Sequence, residues 1–191
     1  TDAGQIDTAT DQATSDANDI KPDTFTWDGD GMGMGLKRQI SEAFKGKKVE
    51  VEAFRGGEAA DNPNALYEPL ENEVKKAKTN KEMFFNKRAR YYWNLRDKMF
   101  RTYLAVEKGQ KVFNPDELIS FSSDIEELPE LRAELCRIPR KYNSAGRIQI
   151  LSKPEMLKLD IDSPNMGDVV MMLQRLIEVK KQARPLNQSG W

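Results

Sequence analysis

The sequence predicts an α/β fold, because a predicted helix lies between two short predicted strands. Residues 25–27 are typical of a β-strand that ends at Asp28. Apolar residues alternate with acidic ones at 49–54, which predicts a second strand. Residues 36–44 between them are predicted to form a helix that Gly46 ends. Short links on either side of such a helix indicate a βαβ unit, so we expect the two strands to pair in parallel.

Helices dominate the rest of the predicted fold. The other elements, in chain order, are a helix at 6–20, a polar loop at 55–80, a long helix at 82–106, a helix at 129–137, a strand at 148–151 and a helix at 165–181. Apolar residues at helical spacing on the long helix are predicted to be core: Phe85, Ala89, Tyr92, Leu95, Met99, Tyr103 and Val106. Its basic residues are predicted to face solvent or to contact phosphate. We expect one domain at 1–181 and a flexible tail at 182–191.

Composition excludes several classes of protein. The chain has 191 residues, one cysteine and no histidine, which rules out histidine-based catalysis and zinc sites built on cysteine or histidine clusters. No apolar run approaches the roughly 20 residues that a membrane-spanning helix needs. Chemistry must therefore use carboxylates, lysines, hydroxyls or a bound ion. Because the chain starts at Thr1 and shows no signal peptide, we expect a piece of a longer intracellular protein.

Charge is distributed unevenly along the chain. Residues 1–30 hold eight acidic residues and one basic residue, whereas the remaining 161 residues hold 29 basic and 23 acidic ones. The positive excess of the larger part favours an anionic partner. An ordinary solvated surface with unbalanced charge is the alternative interpretation.

Asp28 is the first candidate functional residue, because ligands of open α/β sheets bind at the carboxyl ends of the strands. The glycine-rich run at 29–35 follows it and allows a tight turn. A dinucleotide-binding loop fits poorly, since the glycines are spaced G-x-G-x-G and an acid precedes them. A calcium loop also fits poorly, since Gln39 stands near the twelfth position. The third interpretation is a carboxylate ligand for Mg²⁺ or Mn²⁺, which needs a second acid from another element.

Asp168 is the natural second acid. It lies in the first turn of the last predicted helix, and the apolar run at 169–173 is expected to bury that helix against the sheet. The carboxylate would then project near the strand ends. The alternative is an acid that only complements the positive end of the helix dipole.

Four stretches, in the same order, resemble one known family. They are residues 27–36, which contain Asp28 and the glycine-rich turn; Asn86-Lys87-Arg88-Ala89 with Trp93 and Leu95-Arg96-Asp97; Leu128 to Leu135 followed by residues 146–153; and Ser163-Pro164-Asn165-Met166-Gly167-Asp168. The set is similar to the nuclease domain of the large terminase subunit of tailed bacteriophages, the motor-nuclease that packages viral DNA.

The resemblance implies a fold, a cofactor and a set of site residues. The implied fold is RNase H-like, a mixed sheet flanked by helices, and its acids bind two Mg²⁺ or Mn²⁺ ions that serve to cut double-stranded DNA. Asp28 matches the family's second catalytic acid, Asp168 matches the last, and Lys153 matches a basic residue beside the site. Lys87 and Arg88 are candidates for contacts with DNA. The family's first acid lies on an opening strand that has no counterpart here, so we expect the chain to lack its first strands and to cut poorly alone.

The implied function is a metal-dependent endonuclease that makes headful or terminus cuts in viral DNA. Implied partners are double-stranded DNA, the N-terminal ATPase domain of the same protein, the portal protein and the small terminase subunit, with no membrane. The implied location is the host cell cytoplasm. Two alternatives stay open: a catalytically silent RNase H-like module that binds DNA or acts as a scaffold, and a nucleotide-binding α/β domain.

Overall fold

A computed structural model describes residues 3–67, 77–110 and 113–183. The chain divides into two compact units, Thr1–Glu58 and Ala59–Trp191. Helices and strands of the first unit are α1 (Ala3–Ile20), β1 (Thr24–Asp28), α2 (Lys37–Ala43) and β2 (Glu50–Phe54). Those of the second are α3 (Asn80–Met83), α4 (Lys87–Val106), α5 (Leu128–Cys136), β3 (Arg140–Tyr142), β4 (Ile148–Ile150), α6 (Lys153–Leu157) and α7 (Asn165–Ala183). Short 3-10 helices occupy Gly31–Leu36 and Pro115–Glu117.

The first unit contains the predicted βαβ arrangement. Strands β1 and β2 pair in parallel, and Asp28 lies opposite Phe54 at their shared end. Helix α2 joins the two strands. Its buried residue Ile40 and Phe44, which directly follows the helix, form a core with Ala17 of α1. The prediction of parallel pairing is confirmed. It rested on two local signals, the alternation of apolar and acidic residues in the second strand and the glycine after the helix.

The second unit is built on α4, which packs against α7 and β4. Strands β3 and β4 form an antiparallel hairpin, with Tyr142 opposite Ile148. Phe84, which precedes α4, pairs in parallel with Ile148, and both side chains are almost fully buried. This places the start of α4 beside β4. The three-residue strand β3 was missed because its sequence, Arg-Lys-Tyr, has no apolar alternation.

The prediction of one helix over 82–106 is wrong at its start. A separate short helix, α3, ends at Met83, and Phe84 is extended. Asn86 then caps α4, because its side chain accepts a hydrogen bond from the backbone N–H of Ala89 at 2.9 Å. The cap fixes Lys87 as the first helical residue. The predicted loop at 55–80 contains a bridge between Leu66 and Thr79, and its last residue, Asn80, is the first of α3. Residues 68–76 of this loop lie outside the described part.

The core stripe predicted for the long helix is correct only from Ala89 to Leu95. Ala89, Tyr92 and Leu95 are buried, whereas the four other predicted core residues are exposed: Phe85, Met99, Tyr103 and Val106. Conversely, Arg90 and Lys98 are buried rather than solvated. Helix α4 therefore buries basic side chains, which helical spacing of apolar residues does not reveal.

Some elements of the second unit begin or end at other residues than predicted. Strand β4 ends at Ile150, so Lys153 opens a helix instead of continuing the strand. Helix α7 extends to Ala183, and most of the predicted tail at 182–191 lies outside the described residues. Among the helices of the described ranges, none has the length and hydropathy to cross a bilayer.

Candidate metal-dependent nuclease site

Asp28 is the last residue of β1, and its side chain is exposed at the carboxyl end of the parallel pair. One carboxylate oxygen, Oδ1, accepts a hydrogen bond from the backbone N–H of Asp30 at 3.0 Å. Gly29 donates its N–H to the carbonyl of Phe54 at 2.7 Å, which ties the start of the turn to the neighbouring strand. The Asp28 carboxylate is therefore held by the turn that follows it, and the start of that turn is held by β2.

The glycine-rich turn folds back closely against β1. Gly33 lies so near that a Cβ atom there would be 1.7 Å from the carbonyl oxygen of Asp28. The indole N–H of Trp27 donates to the carbonyl of Gly33 at 3.0 Å and holds this approach. Close packing of the turn on its own strand therefore explains the glycine at position 33.

Asp168 lies in the first turn of α7, and two contacts fix the backbone around it. Its N–H donates to the carbonyl of Pro164 at 2.7 Å. The N–H of the preceding Gly167 donates to Oε2 of Glu134 on α5, also at 2.7 Å. Gly167 is buried, and a Cβ atom there would be 3.4 Å from the Leu135 side chain. The start of α7 is anchored to α5 at this point.

The Asp168 carboxylate is held by donors from α4. Arg88 donates from Nε at 3.3 Å and from Nη2 at 3.2 Å, and the Tyr92 hydroxyl donates at 2.7 Å. All three hydrogen bonds reach Oδ1. The Asp168 side chain is 13% exposed. Burial, together with the negative charge of Asp168, raises the pKa of Tyr92 above its ordinary range, so the hydroxyl stays a neutral donor.

The two basic residues predicted to contact DNA both have carboxylate partners. Arg88 pairs with Asp168, and Lys87 pairs with Asp61, whose Oδ1 lies 3.3 Å from the lysine Nζ. The Arg88 and Lys87 side chains are 17% and 13% exposed. Their predicted contacts with phosphate remain predictions, and such contacts would have to form beside these existing ion pairs.

Lys153 is exposed at the start of α6. Ser152 caps this helix, since Glu155 accepts hydrogen bonds from the Ser152 N–H at 2.9 Å and from its hydroxyl at 2.8 Å. Two residues before Lys153, the carbonyl of Leu151 accepts a hydrogen bond from Nη1 of Arg88 at 3.2 Å. Arg88 therefore connects the segment that leads to Lys153 with Asp168.

Asp61 is the centre of a second charged cluster, which the sequence did not predict. It accepts hydrogen bonds from the Tyr91 hydroxyl at 2.8 Å and from Nε of Arg175 at 3.2 Å, besides its ion pair with Lys87. Partial burial raises the pKa of Asp61, but the Tyr91 hydrogen bond and the charges of Lys87 and Arg175 together outweigh it. The net result is a lowered pKa.

We expect Asp61→Asn to destabilise the fold at neutral pH by about 1–3 kcal/mol, because it removes the charge that Lys87 and Arg175 share. A lowered folded-state pKa means that the stabilisation is present above the ordinary aspartate value of 3.8 and is lost as pH falls through the folded-state pKa. The variant should therefore lose less stability than the wild type between neutral pH and pH values below 3.8. Urea unfolding at a series of pH values measures this. Parallel curves for the two proteins would contradict it.

The chain is similar to solved structures of one protein. It shares 39% sequence identity with the nuclease domain of the large terminase subunit gp2 of bacterial virus Sf6, with a TM-score of 0.78, over 88% of this chain and 72% of that one. The chain belongs to the family of terminase nuclease domains. A mutant of the Sf6 domain solved with manganese aligns at 38% identity and a TM-score of 0.76, over 88% of this chain and 73% of that one. No protein-family model and no curated protein matched the chain.

The α/β, RNase H-like fold predicted from the sequence is that of the terminase nuclease domain. A mutant of the Sf6 domain has also been solved with calcium, at 39% identity and a TM-score of 0.78. These two structures of the Sf6 protein were solved with divalent ions, manganese and calcium. Within the described parts of the present chain, no group of three or more acidic, cysteine or histidine residues is clustered as an ion site.

The donor chemistry of this terminase nuclease domain nevertheless fits a divalent ion. The chain lacks histidine, so its strong ligands are carboxylate oxygens, which Mg²⁺ and Mn²⁺ prefer. Mg²⁺ usually takes only one or two carboxylates and fills its other positions with water and phosphate oxygens. In the first unit, the exposed carboxylate of Asp28 has this donor chemistry. In the second unit, Oδ2 of Asp168 has it too, since it receives none of the three hydrogen bonds from α4.

Proposed function

We propose that this domain is a metal-dependent endonuclease that cuts double-stranded viral DNA during genome packaging. The observation that supports this most directly is the Asp168 carboxylate, which donors from α4 hold by one oxygen only. Such an arrangement fixes the orientation of the group and leaves the second oxygen for an ion. Membership of the terminase nuclease family supplies the reaction class.

We propose two Mg²⁺ or Mn²⁺ ions, with Asp28 and Asp168 among their ligands. When bound, such ions activate water and stabilise the leaving oxygen of a phosphodiester. The residues of this chain contribute position and charge. Arg88 and Tyr92 hold Asp168, the turn at 29–35 holds Asp28, and Lys153 offers a positive charge to the scissile phosphate. Without histidine, no imidazole is present to act as a base.

The biological setting follows from the family and remains a proposal. The nuclease would act with an N-terminal ATPase domain of the same protein, the portal protein and the small terminase subunit. It would work in the host cell cytoplasm and make headful or terminus cuts. Duplex DNA is expected to bind mainly through its phosphates, so affinity should fall steeply with salt and vary little with sequence.

Removal of the ion should abolish cutting. We expect the complete natural protein to convert supercoiled plasmid into nicked and linear DNA in Mn²⁺ or Mg²⁺ and to leave it intact in EDTA, as judged by gel electrophoresis. The double variant Asp28→Asn, Asp168→Asn is the control for a contaminating nuclease. Cutting that persists in EDTA would contradict metal dependence. DNA binding without cutting in either ion would favour the silent-module alternative.

A further inference from the structure

Arg88 joins three separate parts of the second unit through one side chain. It projects from the first turn of α4, donates from Nη1 to the carbonyl of Leu151 after β4, and donates from Nε and Nη2 to Oδ1 of Asp168 on α7. The planar guanidinium matches this task, because its N–H groups point in fixed directions that a lysine ammonium does not reproduce. Its position is supported by the Tyr92 ring, whose centre lies 5.5 Å from the guanidinium carbon.

This arrangement leaves little of Arg88 for nucleic acid. The side chain is 17% exposed, and its charge is already compensated by the carboxylate of Asp168 at 3.2 Å. A phosphate would have to displace either Asp168 or the Leu151 carbonyl to gain a two-pronged contact. Substitution of Arg88 should therefore change the geometry of Asp168 more than the affinity for DNA.

We propose that Arg88, assisted by Tyr92, is a positioning residue for Asp168 and not a phosphate contact. By binding Oδ1, the two donors fix the rotation of the carboxylate, and Oδ2 takes none of their three hydrogen bonds. The link to Leu151 sets the distance between α7 and the segment that leads to Lys153. This inference rests on the proposed function, since it assumes that Asp168 is an ion ligand.

Affinity for the ion alone does not decide between the two roles. Loss of Arg88 would free the carboxylate to rotate, which weakens ion binding, but it would also remove a positive charge near the ion, which strengthens it. The turnover rate and the DNA affinity separate the roles better. A positioning residue affects kcat, whereas a phosphate contact affects KM and the dependence of DNA affinity on salt.

The test compares three variants with the wild type in the complete natural protein. They are Arg88→Gln, Arg88→Lys and Tyr92→Phe, and Arg132→Gln removes the same charge from an exposed position of α5 as a control. Plasmid-cutting kinetics in Mn²⁺ give kcat and KM, and fluorescence anisotropy with a labelled duplex in EDTA gives Kd over a range of salt. Circular dichroism melting shows whether each variant is folded.

We expect Arg88→Gln to lower kcat by about 10- to 100-fold, as is typical of residues that orient metal ligands. DNA Kd in EDTA and its salt dependence should stay within twofold of the wild type. Arg88→Lys should have a kcat between those of Arg88→Gln and the wild type. The single lysine ammonium can reach only one of the two acceptors of Arg88, which are the Leu151 carbonyl and Oδ1 of Asp168. Tyr92→Phe keeps the ring and should lower kcat several-fold, so it tests the proposal even if Arg88→Gln fails to fold.

A different set of results would overturn the positioning role. If Arg88→Gln weakens DNA binding in EDTA and lowers the salt slope by about one, with kcat unchanged, Arg88 is a phosphate contact. Unchanged kcat and KM in all three variants would show that Asp168 needs no such support. If the wild type does not cut DNA, both the proposed function and the positioning role fail. If the wild type cuts, the results for the Arg88 variants test the positioning role alone.

Discussion

Asp168→Asn is expected to reduce DNA cutting at least about 100-fold, because the substitution removes a proposed ion ligand while the hydrogen bonds around it can persist. Arg88 and Tyr92 both donate to Oδ1, and the amide oxygen of asparagine can accept the same hydrogen bonds. The amide NH₂ group then takes the place of Oδ2. A donor would therefore stand where the ion needs an oxygen ligand, and the negative charge would be lost.

The size of this effect follows from a comparison with supporting residues. Changes to groups that merely orient a metal ligand typically cost 10- to 100-fold, so loss of the ligand should cost at least as much. A 100-fold loss corresponds to about 2.7 kcal/mol of transition-state stabilisation. We also expect the variant to be less stable by about 1–3 kcal/mol, since the Arg88 guanidinium keeps its hydrogen bonds but loses its counter-charge.

Initial rates of plasmid cutting in Mn²⁺ measure the effect of Asp168→Asn. Asp162→Asn removes the same charge from an exposed position just before α7 and should cut at the wild-type rate. Affinity for duplex DNA should not fall in either variant, because the removal of a negative charge does not weaken binding to phosphates. A cutting rate for Asp168→Asn within about threefold of the wild type would contradict the assignment of Asp168 as a ligand.

Asp28→Asn is expected to reduce cutting about as much as Asp168→Asn does, while the first unit stays folded. The hydrogen bond from the Asp30 N–H reaches Oδ1, and an asparagine oxygen can accept it. Packing of the turn depends on Gly33 and Trp27, which the substitution does not touch. Loss of activity would therefore report on the charge of the carboxylate and on its ability to bind an ion.

A matched control for Asp28 lies at the other end of the same strand. Asp23 directly precedes β1, and its side chain is exposed, so Asp23→Asn makes the same chemical change away from the carboxyl end. Single-turnover cutting with excess protein compares the two variants without interference from product release. Equal losses in Asp23→Asn and Asp28→Asn would show that the strand end has no special role.

The elements that could be predicted from the sequence are those with strong local signals. The strand ending at Asp28, the helix that follows and the second strand are each bounded by proline or glycine and have clear periodicity. Asp28 was found as a candidate because parallel pairing puts it at the edge where ligands bind. Helix α1 was likewise predicted from apolar spacing.

The features that sequence reasoning missed depend on contacts between distant residues. The pairing of Phe84 with Ile148 interrupts a pattern that otherwise continues as one helix. Arg88 and Asp168 are 80 positions apart, and nothing in the sequence distinguishes Arg88 from the neighbouring Lys87. The burial of Arg90 has the same origin, since its partner Glu178 lies on α7.

The most direct test of the central claim is a calorimetric titration of Mn²⁺ into the wild type and into the Asp28→Asn and Asp168→Asn variants, all as the complete natural protein and without DNA. We predict that each substitution weakens Mn²⁺ binding at least about tenfold, since each removes one charged oxygen ligand. Wild-type Mn²⁺ affinity in both variants would contradict the claim that these two carboxylates hold the ions of a nuclease.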